Sequence, residues 1–300
     1  MPADNILTMS ERIIDLHAHT THSDGSDTPD ELIAEARDAG ATAIAITDHD
    51  TVAGLGEGRA AAAALGVEFI DGLEISAEYS PGTMHVLGYF INPDSADLQA
   101  RLVELREARE RRNPQIAERL QALGCAIAYE EVERLAGNEV VGRPHFARLL
   151  LERGYATSIQ DAFDRFLGKG AAAYVEKARL SPAASIALIH QAGGVAVLAH
   201  PYQLKLATLE ATEQLIVELA ALGLDGVEAI YSRHSEDERH ADAEMAQRHG
   251  LLITGGSDYH GTYKPDLRLV RGKGDLAVPY ELLDELKRRA AARKQAAKGI

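Results

Sequence analysis

Ile13-Ile14-Asp15-Leu16-His17-Ala18-His19-Thr20-Thr21-His22-Ser23-Asp24-Gly25 begins as an apolar run and turns into a string of imidazoles and carboxylates. Its first half reads as a short buried strand, Arg12–His17. Side chains two apart on a strand point the same way, so His17 and His19 share a face. Two imidazoles on one face can grip one metal ion. Asp15 has the same parity and is expected to orient an imidazole from behind.

The same grammar recurs along the chain. Ala43-Ile44-Ala45-Ile46-Thr47 leads into Asp48-His49-Asp50, Val67–Leu73 into Glu74, and Val195–Ala199 into His200-Pro201. His85 lies in the β-like run Thr83–Ile91, and Leu251–Gly255 leads into Gly256-Ser257-Asp258-Tyr259-His260. Acids and imidazoles at strand ends can converge on one mouth. A dense N/O cluster with no thiol suits several divalent metals.

Between these strands lie helical segments. Thr28-Pro29-Asp30-Glu31 has the form of a capping box with Pro at the first helical position. An Ala-rich helix is expected over Val52–Leu65. Strand and helix alternate up to Ile91, which implies a parallel sheet covered by helices. The rhythm then breaks. Leu98–Leu123 is one long charged helical pattern, which Pro114 should kink or divide. Helical segments follow at Tyr129–Leu135, Pro144–Arg153 and Ser158–Leu167. The alternation resumes at Ser181-Pro182 and ends in a helix over Pro279–Lys298. The expected fold is an α/β barrel of seven strands, residues 12–97 and 178–300, carrying an inserted helical subdomain, residues 98–177, that covers the site.

Composition narrows the partners. Thirty-one basic against 46 acidic residues give a net charge of −15, a poor footprint for duplex nucleic acid. A small anionic substrate stays open, because metal ions reverse the local field. Cys125 is the single cysteine, so neither an intrachain disulfide nor a Cys-based zinc site is available. Met1 to Ser10 lack a basic start and a long apolar run, and no stretch of eighteen apolar residues exists. The expectation is a cytoplasmic protein that does not span a membrane.

The ordered set His17-x-His19, Ser23-Asp24-Gly25, Thr47-Asp48-His49, Glu74, His85, His200-Pro201 and Ser257-Asp258-x-His260 resembles the polymerase and histidinol phosphatase (PHP) family over nearly the whole chain. The resemblance implies a distorted (β/α)7 barrel, a phosphoesterase activity and a cluster of two or three divalent ions. It implies that His17, His19, Glu74 and Asp258 hold one ion, that Glu74, His85 and His200 hold a second, and that Asp24, His49 and His260 hold a third. Mn²⁺ is the expected ion, with Fe²⁺ or Zn²⁺ as alternatives. The catalytic core would be His17, His19, Glu74, His200 and Asp258. Two close metals can deprotonate a shared water and hold phosphate oxygens in line with it.

Gly142-Arg143-Pro144-His145 further resembles the subgroup of 3′,5′-nucleoside bisphosphate phosphatases, some of which trim short RNA from its 5′ end. As a plain helix start, Pro144 explains this motif; as a site, Arg143 offers a planar fork for phosphate. Arg143, His145, Lys169, Lys177, His234 and Ser257 are the candidate substrate contacts, with solvated lysines as the alternative reading of Lys169 and Lys177. The implied reaction is removal of the 3′-phosphate from a nucleoside 3′,5′-bisphosphate. The alternatives are a 5′-to-3′ exoribonuclease on short RNA, a histidinol phosphatase, and a metal-binding module with no activity.

Overall fold

The computed structural model describes residues 12–137, 141–176 and 178–298. They form two compact units, one of residues up to Ala100 together with those from Leu180 on, the other Arg101–Arg179.

The first unit is a nearly closed barrel with surrounding helices. Its strands are β1 (Ile13–Asp15), β2 (Ala41–Ile46), β3 (Glu68–Ala77), β4 (Met84–Tyr89), β5 (Val195–Leu198), β6 (Gly226–Tyr231), β7 (Leu252–Gly256) and β8 (Val278–Pro279). They run in the order β7-β6-β5-β4-β3-β2-β1-β8. β2, β5 and β6 are buried almost throughout, which suits their near-continuous runs of Ala, Ile, Val and Leu. The seam between β1 and β7 is closed by the residues after them. Leu16 N–H donates to the Gly255 carbonyl (3.2 Å), Asp258 N–H to His17 (2.8 Å) and His19 N–H to Tyr259 (3.0 Å).

Two features depart from the expected parallel sheet. β4 runs antiparallel to both β3 and β5. Only six residues, 78–83, separate β3 from β4, and a parallel crossover needs a dozen or more. β8 is an eighth strand, antiparallel to β1. β3 is also longer than expected: it continues past Glu74 to Ala77 because each of its residues from Gly72 on pairs with β4.

The helices of the chain are α1 (Pro29–Asp38), α2 (Leu55–Leu65), α3 (Ala96–Ala122), α4 (Tyr129–Ala136), α5 (Arg143–Glu152), α6 (Ile159–Ala162), α7 (Pro182–Gln191), α8 (Leu209–Ala221), α9 (Glu236–Arg248) and α10 (Glu281–Lys298). The Thr28–Glu31 capping box is present at α1. α3 runs unbroken through Pro114, so the proline neither ends nor restarts it. α6 leads into a wide turn, Phe163–Leu167. The second unit has a core of its own, in which Ile116, Leu120, Cys125, Val132, Phe146 and Leu167 are buried together. No helix among the described residues is long and apolar enough to cross a membrane.

Candidate metal centre

Glu74 sits inside β3, with neither carboxylate oxygen exposed, and five imidazoles surround it. Its Oε1 lies 2.9 Å from His85 Nδ1, 2.9 Å from His200 Nε2 and 3.4 Å from His17 Nε2. Its Oε2 lies 2.8 Å from His49 Nδ1 and 3.4 Å from His19 Nε2. The topology explains the convergence. His17 and His19 follow β1, His49 follows β2 and His200 follows β5, all leaving the carboxyl ends of their strands. His85 comes from the start of β4, which the antiparallel hairpin returns to the same mouth opposite Ser76. The bridge between His49 and Glu74 extends the β2–β3 edge past the last regular pair, Ile46–Asp71.

Asp258 and Asp24 complete the cluster. Asp258 Oδ1 faces His17 Nε2 (3.6 Å), His19 Nε2 (3.5 Å) and His260 Nδ1 (3.5 Å). Asp24, on the more open side, faces His260 Nε2 (3.3 Å), His49 Nε2 (3.7 Å) and His19 Nδ1 (3.7 Å). Four overlapping sets of potential ligand atoms result: His19, Asp24, His49 and His260; His17, His19 and Asp258; His17, Glu74 and His200; His49, Glu74 and His85. All nine residues singled out as ligands from the sequence lie in these sets.

The geometry suits bound cations. His17 Nε2 and His19 Nε2 are 3.1 Å apart, and His85 Nδ1 and His200 Nε2 are 3.3 Å apart. Nitrogens that converge on each other and on one carboxylate suit a shared cation between them. His200 Nδ1 is buried with no hydrogen-bond partner among the described residues. Three ligand-bearing turns also hold strained backbone: His200, Asp258 and Asp50 have φ of +27°, +54° and +55°.

Electrostatics favour the metal-binding form in most of this donor set, His17 excepted. Burial would raise the Glu74 carboxyl, but His85, His49 and His17 hold it well below the usual carboxylate range. Burial would also raise Asp258, and Lys264 and His260 reverse that. Burial depresses His85 to about 4 against the pull of Glu74, so its ring is neutral at neutral pH. Burial and then His260 hold His19 well below its ordinary value. His17 goes the other way: burial disfavours its charge, but Glu228 and then Glu74 outweigh burial and raise it. Neutral imidazole and ionised carboxylate are the metal-binding forms.

Further residues support the ligands, and one differs from expectation. Asp15 orients no imidazole; its carboxylate accepts the backbone N–H groups of His17 (3.1 Å), Ser257 (2.9 Å) and Val270 (2.8 Å). The residue behind His17 is Glu228 on β6, whose Oε1 is 2.9 Å from His17 Nδ1 and whose Oε2 accepts the His200 N–H (2.8 Å). Asp48 fixes the loop that carries Asp24, accepting from Thr20 N–H (2.8 Å), Thr20 Oγ1 (2.6 Å) and Ser23 Oγ (2.5 Å). Lys264 Nζ and Tyr231 Oη lie 2.8 and 2.9 Å from Asp258 Oδ2, the oxygen turned away from the imidazoles.

Of the candidate substrate contacts, Ser257 and His234 belong to the first unit and Arg143, His145 and Lys169 to the second. Ser257 is fully buried, with its hydroxyl 3.5 Å from the His17 carbonyl. His234 is buried against the Ala229 carbonyl (3.1 Å) and Asp242 (3.3 Å), with the Tyr231 ring between it and His200. His145 accepts the Gly142 N–H through Nδ1 (3.0 Å) at the start of α5. Arg143 donates to the Leu167 carbonyl (3.1 Å). Lys169 is exposed, and Lys177 lies outside the described residues.

Known proteins resemble this chain over most of its length. Residues 15–178 match the PHP domain family. The chain is 38% identical over 249 residues to a 3′,5′-nucleoside bisphosphate phosphatase of Chromobacterium violaceum, an alignment covering 82% of this chain and 87% of that one. It is 36% identical over 246 residues to a 5′-3′ exoribonuclease of Haemophilus influenzae, covering 82% and 89%. A solved amidohydrolase structure, also from Chromobacterium violaceum, superposes with a TM-score of 0.80 at 35% identity, over 93% of this chain and 96% of that one. A barrel whose strand ends bring seven imidazoles and carboxylates around His17 and His19, with relatives that cleave phosphate esters along most of its length, belongs to the PHP family of metal-dependent phosphoesterases.

Proposed function

We propose that this protein is a phosphatase that removes the 3′-phosphate of nucleoside 3′,5′-bisphosphates, leaving the nucleoside 5′-monophosphate. The observation that carries the reading is the Glu74-centred cluster, joined to a 38% identical relative with that activity. His17, His19, Glu74 and Asp258 would hold one ion, Glu74, His85 and His200 a second, and Asp24, His49 and His260 a third. Mn²⁺ is the ion proposed, and the cytoplasm the place of work. When bound, such ions neutralise phosphate oxygens and acidify water at neutral pH.

The chain's own residues supply the rest. Glu74 presents one oxygen to His17, His85 and His200 and the other to His19 and His49, so it fixes the spacing of the imidazoles on either side. Glu228 and Asp48 hold ligand-bearing segments and leave the mouth free. Lys264 balances the far oxygen of Asp258. Arg143 is proposed to contact the phosphate that is not cleaved. Its guanidinium faces the rings of Phe163 (5.9 Å) and Tyr174 (5.8 Å). A fork held by a carbonyl and two rings keeps donors available for an anion.

A second reading, exonucleolytic release from the 5′ end of short RNA, is supported by the 36% identical exoribonuclease. One panel separates them: phosphate and nucleotide release from a nucleoside 3′,5′-bisphosphate, a 5′-monophosphate, histidinol phosphate and 5′-phosphorylated RNAs of graded length, with Mn²⁺ added. The proposal expects the bisphosphate to have the highest kcat/KM. Equal efficiency on a long RNA replaces it with the second reading.

A further inference from the structure

Beside the metal centre the barrel unit holds a cavity of about 430 Å³ that the cluster does not use. One wall is the turn Pro201–Leu204, which directly follows His200, and the segment from there into α8; the other is the start of α9. Tyr202 and Leu209, 56% and 53% exposed, give it a flat apolar side. Its floor is polar and buried: His234 and Asp242 are 4% and 5% exposed, with 3.3 Å between His234 Nδ1 and Asp242 Oδ2. Glu238 adds a second carboxylate, pinned to the Ser235 N–H (2.7 Å) and hydroxyl (2.9 Å).

Two physical features limit the occupant. The volume lies within the range of small-molecule pockets. The two floor carboxylates, opposed by Lys205, make the cavity unfit for phosphate, while an aromatic wall and a buried acceptor suit a flat heterocycle with N–H donors. Burial and then Glu238 raise Asp242 to about 7, so its carboxyl can donate as well as accept. A series of tilted and edge-on ring contacts also runs from the cavity to the cluster. Tyr231 lies 5.5 Å from the His200 ring and 5.1 Å from the His234 ring, and His234 lies 6.4 Å from the Tyr202 ring. The cavity also adjoins the cluster along the chain, since Pro201 and Tyr202, which follow His200 directly, line its wall.

We propose that this cavity is a nucleobase site. A purine with an exocyclic amino group lies against Tyr202, and the buried Asp242–His234 pair reads its edge. The inference rests on the nucleotide reading above and deepens it, because it says which wall of the molecule distinguishes a nucleotide from another phosphate ester.

The test uses a ligand without phosphate, so that binding and hydrolysis are read apart. Fluorescent 2-aminopurine riboside is titrated into the full chain, into Tyr202→Ala and into Asp242→Asn, with Tyr202→Phe to keep the ring. Tyr202→Ala is expected to weaken binding about tenfold while Tyr202→Phe stays near the parent. Asp242→Asn should weaken the aminopurine riboside and leave unsubstituted purine riboside unchanged. Thermal melting checks that each variant is folded. No binding by the parent, or equal binding by parent and Tyr202→Ala, overturns the site. Absence of phosphate release from bisphosphates instead overturns the phosphatase reading, whatever the riboside does.

Discussion

His17 and Glu228 meet at 2.9 Å, Nδ1 to Oε1, with both side chains wholly buried. The contact turns the other nitrogen of His17 towards Glu74 and Asp258. The second oxygen of Glu228 holds the His200 N–H, so one carboxylate on β6 supports two metal-facing histidines on different strands. Outer partners of this kind commonly affect metal affinity by about 10–100-fold. Glu228→Gln preserves volume but removes the charge. We expect weaker Mn²⁺ binding of that order, measured by calorimetric titration, with circular dichroism unchanged. An isotherm that superposes on the parent's would show that the contact is only structural.

A second buried carboxylate has no part in the metal cluster. Asp225, just before β6, receives His190 Nε2 (2.9 Å), the Ala196 N–H (3.0 Å), Arg289 Nη1 (2.9 Å) and Arg293 Nη2 (2.6 Å). It ties α10 and α7 to the barrel. Burial would raise its carboxyl, but His190 and Arg293 bring it down to about 2. The folded value is below the unfolded one, near 3.8, so the stabilisation is complete above pH 4 and is lost as pH falls towards 2. It amounts to about 2 kcal/mol. Denaturant unfolding of metal-free protein between pH 7 and 2.5 should show this slope in the parent and lack it in Asp225→Asn, which starts lower because two arginines lose their partner.

The first histidine pair was legible because strand geometry has a period of two, and Glu74, His49, His200 and Asp258 because each ends or interrupts an apolar run. The direction of β4 was also written in the sequence, in a connection too short for a parallel crossover. Glu228 was harder to see. In Gly226-Val227-Glu228-Ala229-Ile230-Tyr231 it is one acid in an apolar strand, and the usable signal is that a carboxylate there must be buried and must find a donor. Asp15 was misread because strand parity says which face a side chain takes, while its partners are backbone groups of β7 and the segment beyond it. The cavity beside His234 was invisible, since its walls come from two separate segments, residues 201–212 and 234–242.

Arg143 gives a prediction that depends on substrate. If it contacts the phosphate that is not cleaved, Arg143→Ala should lower kcat/KM on a nucleoside 3′,5′-bisphosphate by about 10–100-fold, the size of one charge-assisted hydrogen bond. A 3′-monophosphate, which lacks the second group, should lose little. Arg143→Lys should recover only part, because a point charge does not replace the fork. Equal losses on both substrates would reject the role.

Gly256 ends β7 against the first ligand strand, and its missing side chain is what allows the seam to close. A Cβ there would lie 2.4 Å from His17 Cβ, 2.5 Å from His17 N and 2.9 Å from Asp15 Oδ1. Two of those atoms are backbone or next to it, so relief requires the strands to part. Asp258 N–H is bonded to the His17 carbonyl across the same seam, so both ligands would move together. Gly256→Ala is therefore expected to cost about 1–3 kcal/mol of stability and to weaken metal binding as well. Gly56 provides the contrast: it is exposed within α2 and a Cβ there meets nothing within 4 Å. Gly56→Ala should stabilise the protein by about 0.5–1 kcal/mol through helix propensity, with metal binding untouched. Melting curves and Mn²⁺ titrations on both variants check the pair. Parent-like metal affinity in Gly256→Ala would mean that the β1–β7 seam does not set the spacing of His17 and Asp258.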